Sequence, residues 1–266
     1  MTLTGAVIAR DEERTLADCL ASLAFADEQL VLVDAATRDA TRQVARGFGA
    51  RVEERTFDNF AAQRDAALGL SRGDWVLFVD ADERVPPALR AEVLRLVADP
   101  RGCRGFWIPR HNYLMGRLVT HAGWFPDHQL RLLERRAAHF DPLRPVHELA
   151  LVDGPVGYLH TPLVHFNYAS LGEFITRQER YARLEAERWL AAYGHPRPRA
   201  LVGQPAREFW RRYVQLQGYR DGLLGLVLSA LMAYYAGRAI VLARRGDQRV
   251  RAEPRHQPGW TGHGRG

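Results

Sequence analysis

The apolar run Trp75-Val76-Leu77-Phe78-Val79, leading directly into Asp80-Ala81-Asp82-Glu83, is the feature that most restricts what this chain can become. Such a short apolar run ending in acids reads as a buried parallel strand whose C-terminal end opens on a polar crevice. The same grammar occurs twice before it. Residues 5–9 are apolar and run into Arg10-Asp11-Glu12-Glu13, and residues 29–33 end at Asp34. Helical patterns fall between these runs at residues 15–23, 41–48 and 60–70, with a further short strand at 51–53. Pro86-Pro87 suit the opening of a helix that continues towards Val97. Strand and helix alternating in this way predict an α/β, Rossmann-like sheet, parallel or mixed, with helices on both faces.

The rest of the chain has another texture. Residues 105–109, 130–133 and 149–152 are strand candidates, separated by an aromatic and basic loop through Asn112, Tyr113 and Gly116 and by segments rich in Arg, His and Pro. A helix is expected over 171–191, and the Gly/Pro-rich stretch 194–205 reads as a break. An aromatic-basic helix then starts at Arg207 and leads into the apolar residues 223–243, interrupted by Arg238. A spanning helix needs roughly 20 mainly apolar residues. Arg238 lies towards one end, where it can snorkel. Arg211, Arg212, Arg220, Arg244 and Arg245, with several aromatic residues, suit a helix lying in a membrane surface. A buried C-terminal helix or a contact in a homo-oligomer is the plainer alternative. The expected organisation is an α/β half at 1–100, a second half of different texture at 101–200, a helical membrane-associating extension at 201–245, and a flexible tail at 246–266.

Composition narrows the partners. The 266 residues are 47% hydrophobic and 26% charged, which argues against a disordered, collagen-like or polytopic membrane chain. The net charge of +6 makes an anionic partner plausible without choosing one. Cys19 and Cys103 offer no disulfide framework or thiolate metal cluster, so a reducing compartment is expected. The N-terminus lacks a basic region followed by a long apolar stretch, which predicts no signal peptide. No recognition-helix or zinc spacing supports nucleic-acid binding, and acids at strand ends oppose it.

Asp34, Asp39, Asp80 and Asp82 all follow strands, and ligands of open α/β sheets sit outside those strand ends. Two carboxylates one residue apart can engage Mg²⁺ or Mn²⁺ together with substrate phosphates. Taken alone, acids at strand ends also serve as turn and helix-cap residues.

Three segments supply context: Val7-Ile8-Ala9-Arg10-Asp11-Glu12-Glu13, Val33-Asp34 through Thr41, and Gly73-Asp74 through Glu83. Together they resemble the family 2 glycosyltransferases, enzymes of the GT-A fold that use nucleotide-diphospho-sugars. Residues 109–113, 123–132 and 144–148 are similar to the bacterial β-1,4-glucosyltransferases that extend the lipopolysaccharide inner core. The resemblance implies that Ala9, Arg10, Asp11 and Glu13 form the first donor loop and that Asp34 binds the uracil and ribose region. Asp39 would organise the adjoining turn. Gln63 and Arg64 would approach the base, Asp80 would contact ribose or a metal-bound water, Ala81 would belong to the substrate-binding set, and Asp82 would ligate the metal. Asp11, Asp65 and the turn at 35–38 depart from the family's usual residues.

Asp127 is the expected general base, also on that resemblance, since an inverting transfer needs a carboxylate to take the acceptor hydroxyl's proton. Trp124 would wall a sugar ring, and Arg131 would contact an anion or form a salt bridge. Arg110, Arg117 and Arg144 would form a basic rim for the acceptor. His147 is a candidate substrate contact and His165 a candidate metal ligand, although an isolated histidine is more often structural. The implied reaction is inverting transfer of a hexose, glucose from a UDP-sugar donor, to a lipid-linked saccharide acceptor at the cytoplasmic face of the bacterial inner membrane. Alternatives are a polyprenyl-phosphate or other surface-polysaccharide transferase, and a sugar nucleotidyltransferase, although the latter's glycine-rich phosphate loop is missing.

Overall fold

The three apolar runs read from the sequence, with the short strand at 51–53, pair side by side in a computed structural model that describes residues 1–141 and 149–246. In chain order the elements begin β1 (Leu3–Ala9), α1 (Leu16–Ser22), β2 (Glu28–Asp34), α2 (Thr41–Gly47), β3 (Arg51–Arg55), α3 (Phe60–Leu70), β4 (Trp75–Phe78), β5 (Glu83–Arg84) and α4 (Pro87–Ala98). Strands β6 (Gly105–Ile108), β7 (Arg110–Leu114), β8 (Arg117–Val119), β9 (Gln129–Glu134), β10 (Ala138–His139), β11 (Leu151–Val152), β12 (Val156–Tyr158) and β13 (Leu163–Tyr168) follow. Helices α5 (Leu171–Tyr193), α6 (Ala200–Trp210) and α7 (Gly222–Arg245) close the described chain. The contacts divide it into two units, Met1–Arg110 with Asp127–His165, and His111–Pro126 with residues 166–246. The division is therefore interleaved, unlike the expected cuts at 100 and 200.

In the first unit seven strands form one sheet in the order β12-β6-β9-β4-β1-β2-β3. Strands β4, β1, β2 and β3 are mutually parallel, while β9 runs antiparallel to both β4 and β6. The sheet is mixed, as expected, and both of its faces are covered. Alternate residues of one strand face opposite sides. Accordingly Val7, Val31, Val33, Trp75 and Leu77 join a core with Leu16 and Leu20 of α1 and Leu89 and Val93 of α4. Their neighbours Ala6, Leu30, Leu32, Val76 and Phe78 join a second core with Ala61, Ala67 and Leu68 of α3. Each fully buried Val, Leu or Phe contributes about 1.5–3 kcal/mol, so this double burial fixes the strand register. Gly73 precedes β4 because a Cβ there would lie 2.6 Å from the Thr4 nitrogen.

The short strand β5 pairs antiparallel with the start of β13, with His165 opposite Glu83 and Val164 opposite Arg84. Strands β12 and β13 have no counterpart in the sequence reading: β12 is only three residues long, and β13 alternates in burial but turns the polar His165 and Asn167 inward.

In the second unit, the segment read as an aromatic and basic loop is in fact a hairpin. Strands β7 and β8 pair Asn112 with Val119 and Leu114 with Arg117. Met115 and Gly116 turn between them, both at positive φ, as a two-residue hairpin turn requires. The strand escaped notice because one of its inward residues is polar: Asn112 is buried and its amide donates to the Trp124 carbonyl at 2.7 Å. Helix α5 is capped by Ser170, whose hydroxyl accepts from the Glu173 nitrogen. Its residues Phe174, Ala182 and Ala186 pack in a core with Trp124, Tyr168, Leu228, Tyr235 and Ala239. Helix α6 starts at Ala200 and holds Pro205 inside it, so the break is confined to residues 194–199. Helices α6 and α7 lie close enough that a Cβ on Gly237 would meet Pro205 Cγ at 2.8 Å. The tail expected to be flexible lies, from residue 247, outside the described residues.

Candidate functional site

The strand order reverses at β1: β2 and β3 lie on one side of it and β4 on the other. Such a switch point opens a crevice at the carboxyl ends of the strands. Here those ends deliver Ala9 and Arg10 from β1, Asp34 from β2, and Asp80 and Asp82 just beyond β4.

The loop after β1 is tied to the turn after β2. Asp34 is buried; one carboxylate oxygen accepts from the Ala36 nitrogen at 3.0 Å, and the other lies 3.2 Å from the Arg10 guanidinium. Asp11 adopts positive φ and accepts from the Arg38 nitrogen at 2.8 Å. Glu13 accepts from the Ala40 nitrogen, and Asp39 accepts from the Glu13 nitrogen and from Thr41. Burial works against charge on Asp39, but these bonds outweigh it and hold its carboxyl below the usual range. Gln63 is buried and accepts from Arg55 at 2.8 Å.

At the end of β4 a buried ion network takes over. Arg131 donates both terminal nitrogens to the Asp80 carboxylate, and Arg64 adds a third contact at 3.3 Å. Burial opposes charge on Asp80, yet the Arg131 and Arg64 guanidinia prevail and hold its carboxyl well below the carboxylate range. Arg131 also reaches Glu83 at 3.3 Å. The Glu83 side chain is 0% exposed and accepts from Arg110 at 3.1 Å, and its second oxygen accepts from the Asp80 nitrogen at 2.9 Å. Arg110, 1% exposed, then forks onto one oxygen of Asp127 at 3.0 and 2.5 Å, while Gln129 donates to the other at 2.9 Å. Burial disfavours the charge on Arg110, but Asp127 and Glu83 raise its pKa above the usual value. A continuous chain of contacts therefore runs Asp127–Arg110–Glu83–Arg131–Asp80–Arg64.

Several expectations change. Arg110 is no part of a basic rim, because it lies at the centre of this buried network; Arg117 is exposed on β8. Arg131 takes the salt-bridge role. Trp124 cannot wall a sugar: it is buried in the second unit's core, with its ring 6.4 Å from that of Tyr168. Ala9 and Ala81 are buried too, so their side chains are withdrawn from a ligand. His160 is exposed, and its backbone nitrogen donates to Glu92. His147 and Arg144 lie outside the described residues. Sequence reasoning missed Glu83 and Gln129. Glu83 had a signal, a third acidic residue following a buried strand; Gln129 had none.

Among the described residues no group of three or more His, Cys, Asp and Glu side chains gathers as a metal cluster. Asp82 and His165 nevertheless meet, with carboxylate oxygen and Nε2 3.4 Å apart, because β13 pairs with β5. One hard oxygen and one imidazole fit Mg²⁺ or Mn²⁺ when diphosphate oxygens complete the sphere. Asp80, gripped by two guanidinia, suits an indirect role.

The family model "Glycosyl transferase family 2" matches residues 6–143 of this chain. Over 242 residues the chain is 29% identical to the lipopolysaccharide core biosynthesis glycosyltransferase LpsC of Rhizobium meliloti, covering 89% of each. Among solved structures it is similar to S. aureus TarS in complex with UDP-GlcNAc, at 14% identity and a TM-score of 0.49, over 94% of this chain and 92% of that one. It is also similar to glucosyl-3-phosphoglycerate synthase from Mycobacterium tuberculosis in complex with Mn²⁺, UDP and phosphoglyceric acid. That likeness has 18% identity and a TM-score of 0.44, and spans 74% and 80% of the two chains.

Proposed function

The chain belongs to glycosyl transferase family 2, and from that premise we propose that it is an inverting transferase. It moves a hexose, glucose from UDP-glucose, onto a lipid-linked saccharide such as the lipopolysaccharide inner core, working at the cytoplasmic face of the bacterial inner membrane. The acceptor class is supported by the relative named for lipopolysaccharide core biosynthesis. The observation that carries the chemistry is the unbroken ion network joining Asp80, on the donor side, to Asp127.

In this reading Asp34, Arg10, Gln63 and Arg64 bound the nucleoside site at the switch point. Asp82 and His165 would hold Mg²⁺ or Mn²⁺, which when bound neutralises charge on the donor diphosphate. Arg64 and Arg131 fix the Asp80 carboxylate beside that cation site. Asp127 keeps 12% exposure, and a carboxylate can accept up to about four hydrogen bonds, so an entering hydroxyl can reach it. Asp127 takes the proton of that hydroxyl as the oxygen attacks the anomeric carbon. The bond from that carbon to the diphosphate breaks on the opposite face, and UDP leaves with the electron pair. Arg110 and Gln129 hold the carboxylate in place.

The test measures nucleotide release with UDP- and GDP-sugars, Mn²⁺ or Mg²⁺, and bacterial lipid extracts. UDP release that depends on the extract and is lost in Asp127→Asn and Asp82→Ala is the expected result. Release of pyrophosphate would instead point to a nucleotidyltransferase, and transfer to polyprenyl phosphate would move the acceptor. Activity retained in Asp127→Asn would remove the proposed base.

A further inference from the structure

Helix α7 is long enough to cross a bilayer, but its surroundings say otherwise. One face is buried, through Leu228, Ser229, Tyr235, Ala239 and Ala243. On that face the Tyr235 hydroxyl reaches the Ile175 carbonyl of α5, and at its flank, four residues beyond Tyr234, Arg238 forms an ion pair with Glu179 of α5 at 2.9 Å. Helix α5 is itself polar, carrying Arg177, Arg183, Glu185 and Arg188. Threading α7 through hydrocarbon would strip it from this partner or carry those charges inward.

The opposite face is different. Leu223, Leu226, Val227 and Tyr234 are exposed, Leu223 to 75% and Tyr234 to 61%. Their spacing of three, one and seven keeps them on one stripe of the helix. From Leu223 to Tyr234 that stripe is about 16 Å long at 1.5 Å per residue, roughly half of a 30 Å hydrocarbon core. It begins at the turn of the α6–α7 hairpin, where Trp210 and Tyr219 are also exposed. The charges around that turn favour an anion. Arg207 and Arg220 rest on the neutral amides of Gln204 and Gln217. The nearby acids are engaged within the protein: Glu208 by Arg211 and Arg212, and Asp221 by Thr120 and His121.

We propose that the turn of this hairpin and the exposed stripe of α7 dock onto an anionic bilayer, with α7 lying in the interface and not crossing it. Arg207 and Arg220 meet phosphate headgroups, Trp210 and Tyr219 sit at their level, and Leu223, Val227 and Tyr234 dip below it. The inference deepens the proposed function by stating how the enzyme reaches a lipid-borne acceptor.

The full chain would be floated with vesicles of phosphatidylcholine alone, or mixed with phosphatidylglycerol. Binding to the mixed vesicles, weakened by salt and released by alkaline carbonate, is expected. Leu223→Glu with Val227→Glu should lower partitioning at least about tenfold. Arg207→Gln with Arg220→Gln should lower it about 30-fold in dilute salt. Both pairs are exposed, so melting should not change. Retention until detergent is added would mean that α7 spans the bilayer. Failure to bind, or a lipid-free dimer dispersed by the Leu223 and Val227 changes, would also overturn the proposal. Flotation needs no substrate, so a chain that floats but releases no UDP would count only against the transferase reading.

Discussion

Removing the charge of Glu83 while keeping its shape, as in Glu83→Gln, should destabilise the first unit severely. In the network Asp80, Glu83 and Asp127 balance Arg64, Arg110 and Arg131, three carboxylates against three guanidinia. Glutamine leaves one positive charge uncompensated and turns an amide donor towards other donors. Breaking a buried ion pair from one side costs about 3–5 kcal/mol. Arg110 keeps Asp127 and Arg131 keeps Asp80, so the low end, about 3 kcal/mol, is expected. At about 2–4 °C per kcal/mol for a chain of this size, Tm should fall by about 6–12 °C. Urea titration would read the loss as a lower midpoint at unchanged m value. Glu134→Gln is the control: its pair with Arg104 is 30% and 48% exposed, and the change should stay within about 1 kcal/mol. A double-mutant cycle with Arg110→Met should show coupling of about 1–3 kcal/mol. A Glu83→Gln protein within about 1 kcal/mol of wild type, or an additive cycle, would refute the network as a structural hub.

Other consequences follow from single groups. The Asp80 carboxyl has a folded pKa below its unfolded value, so its contribution is complete above about pH 4 and is lost as pH falls further. Urea midpoints of Asp80→Asn should therefore converge on wild type as the medium is acidified. If Asp82 and His165 share a cation, chelation should abolish UDP release, and His165→Ala should weaken Mn²⁺ binding by at least about tenfold in calorimetry. Burial pushes the Cys19 thiol up, so a thiol reagent should modify Cys103 alone in the native protein and both cysteines in urea. Ser170→Ala removes the cap of α5 and should cost about 1 kcal/mol by urea titration.

The strands that build the crevice were legible because each is apolar on both faces and punctuated by acids, a pattern that needs no partner to be recognised. Asp34, Asp80 and Asp82 could be placed at strand ends for that reason. The hairpin at β7 and β8 was not legible, since Asn112 is satisfied by a carbonyl twelve residues away and looks like loop chemistry until that carbonyl is in place. Trp124 misled in the opposite sense: an aromatic beside a candidate base invites a sugar, and only packing against Tyr168 shows that it belongs to a core.

What the sequence determined by itself is local: the alternation that makes a doubly covered sheet, the acids at its strand ends, and an apolar C-terminal helix long enough for lipid. The tertiary structure alone decided what those groups do to one another. Glu83, Arg110 and Arg131 are separated by 27 and 21 positions and become one charge network only where β5, β7 and β9 converge. The fate of α7 was likewise decided by α5, because hydropathy counts residues without knowing which side a neighbour covers. Burial and ion pairing are properties of pairs distant in sequence, and they exist only once the chain has folded.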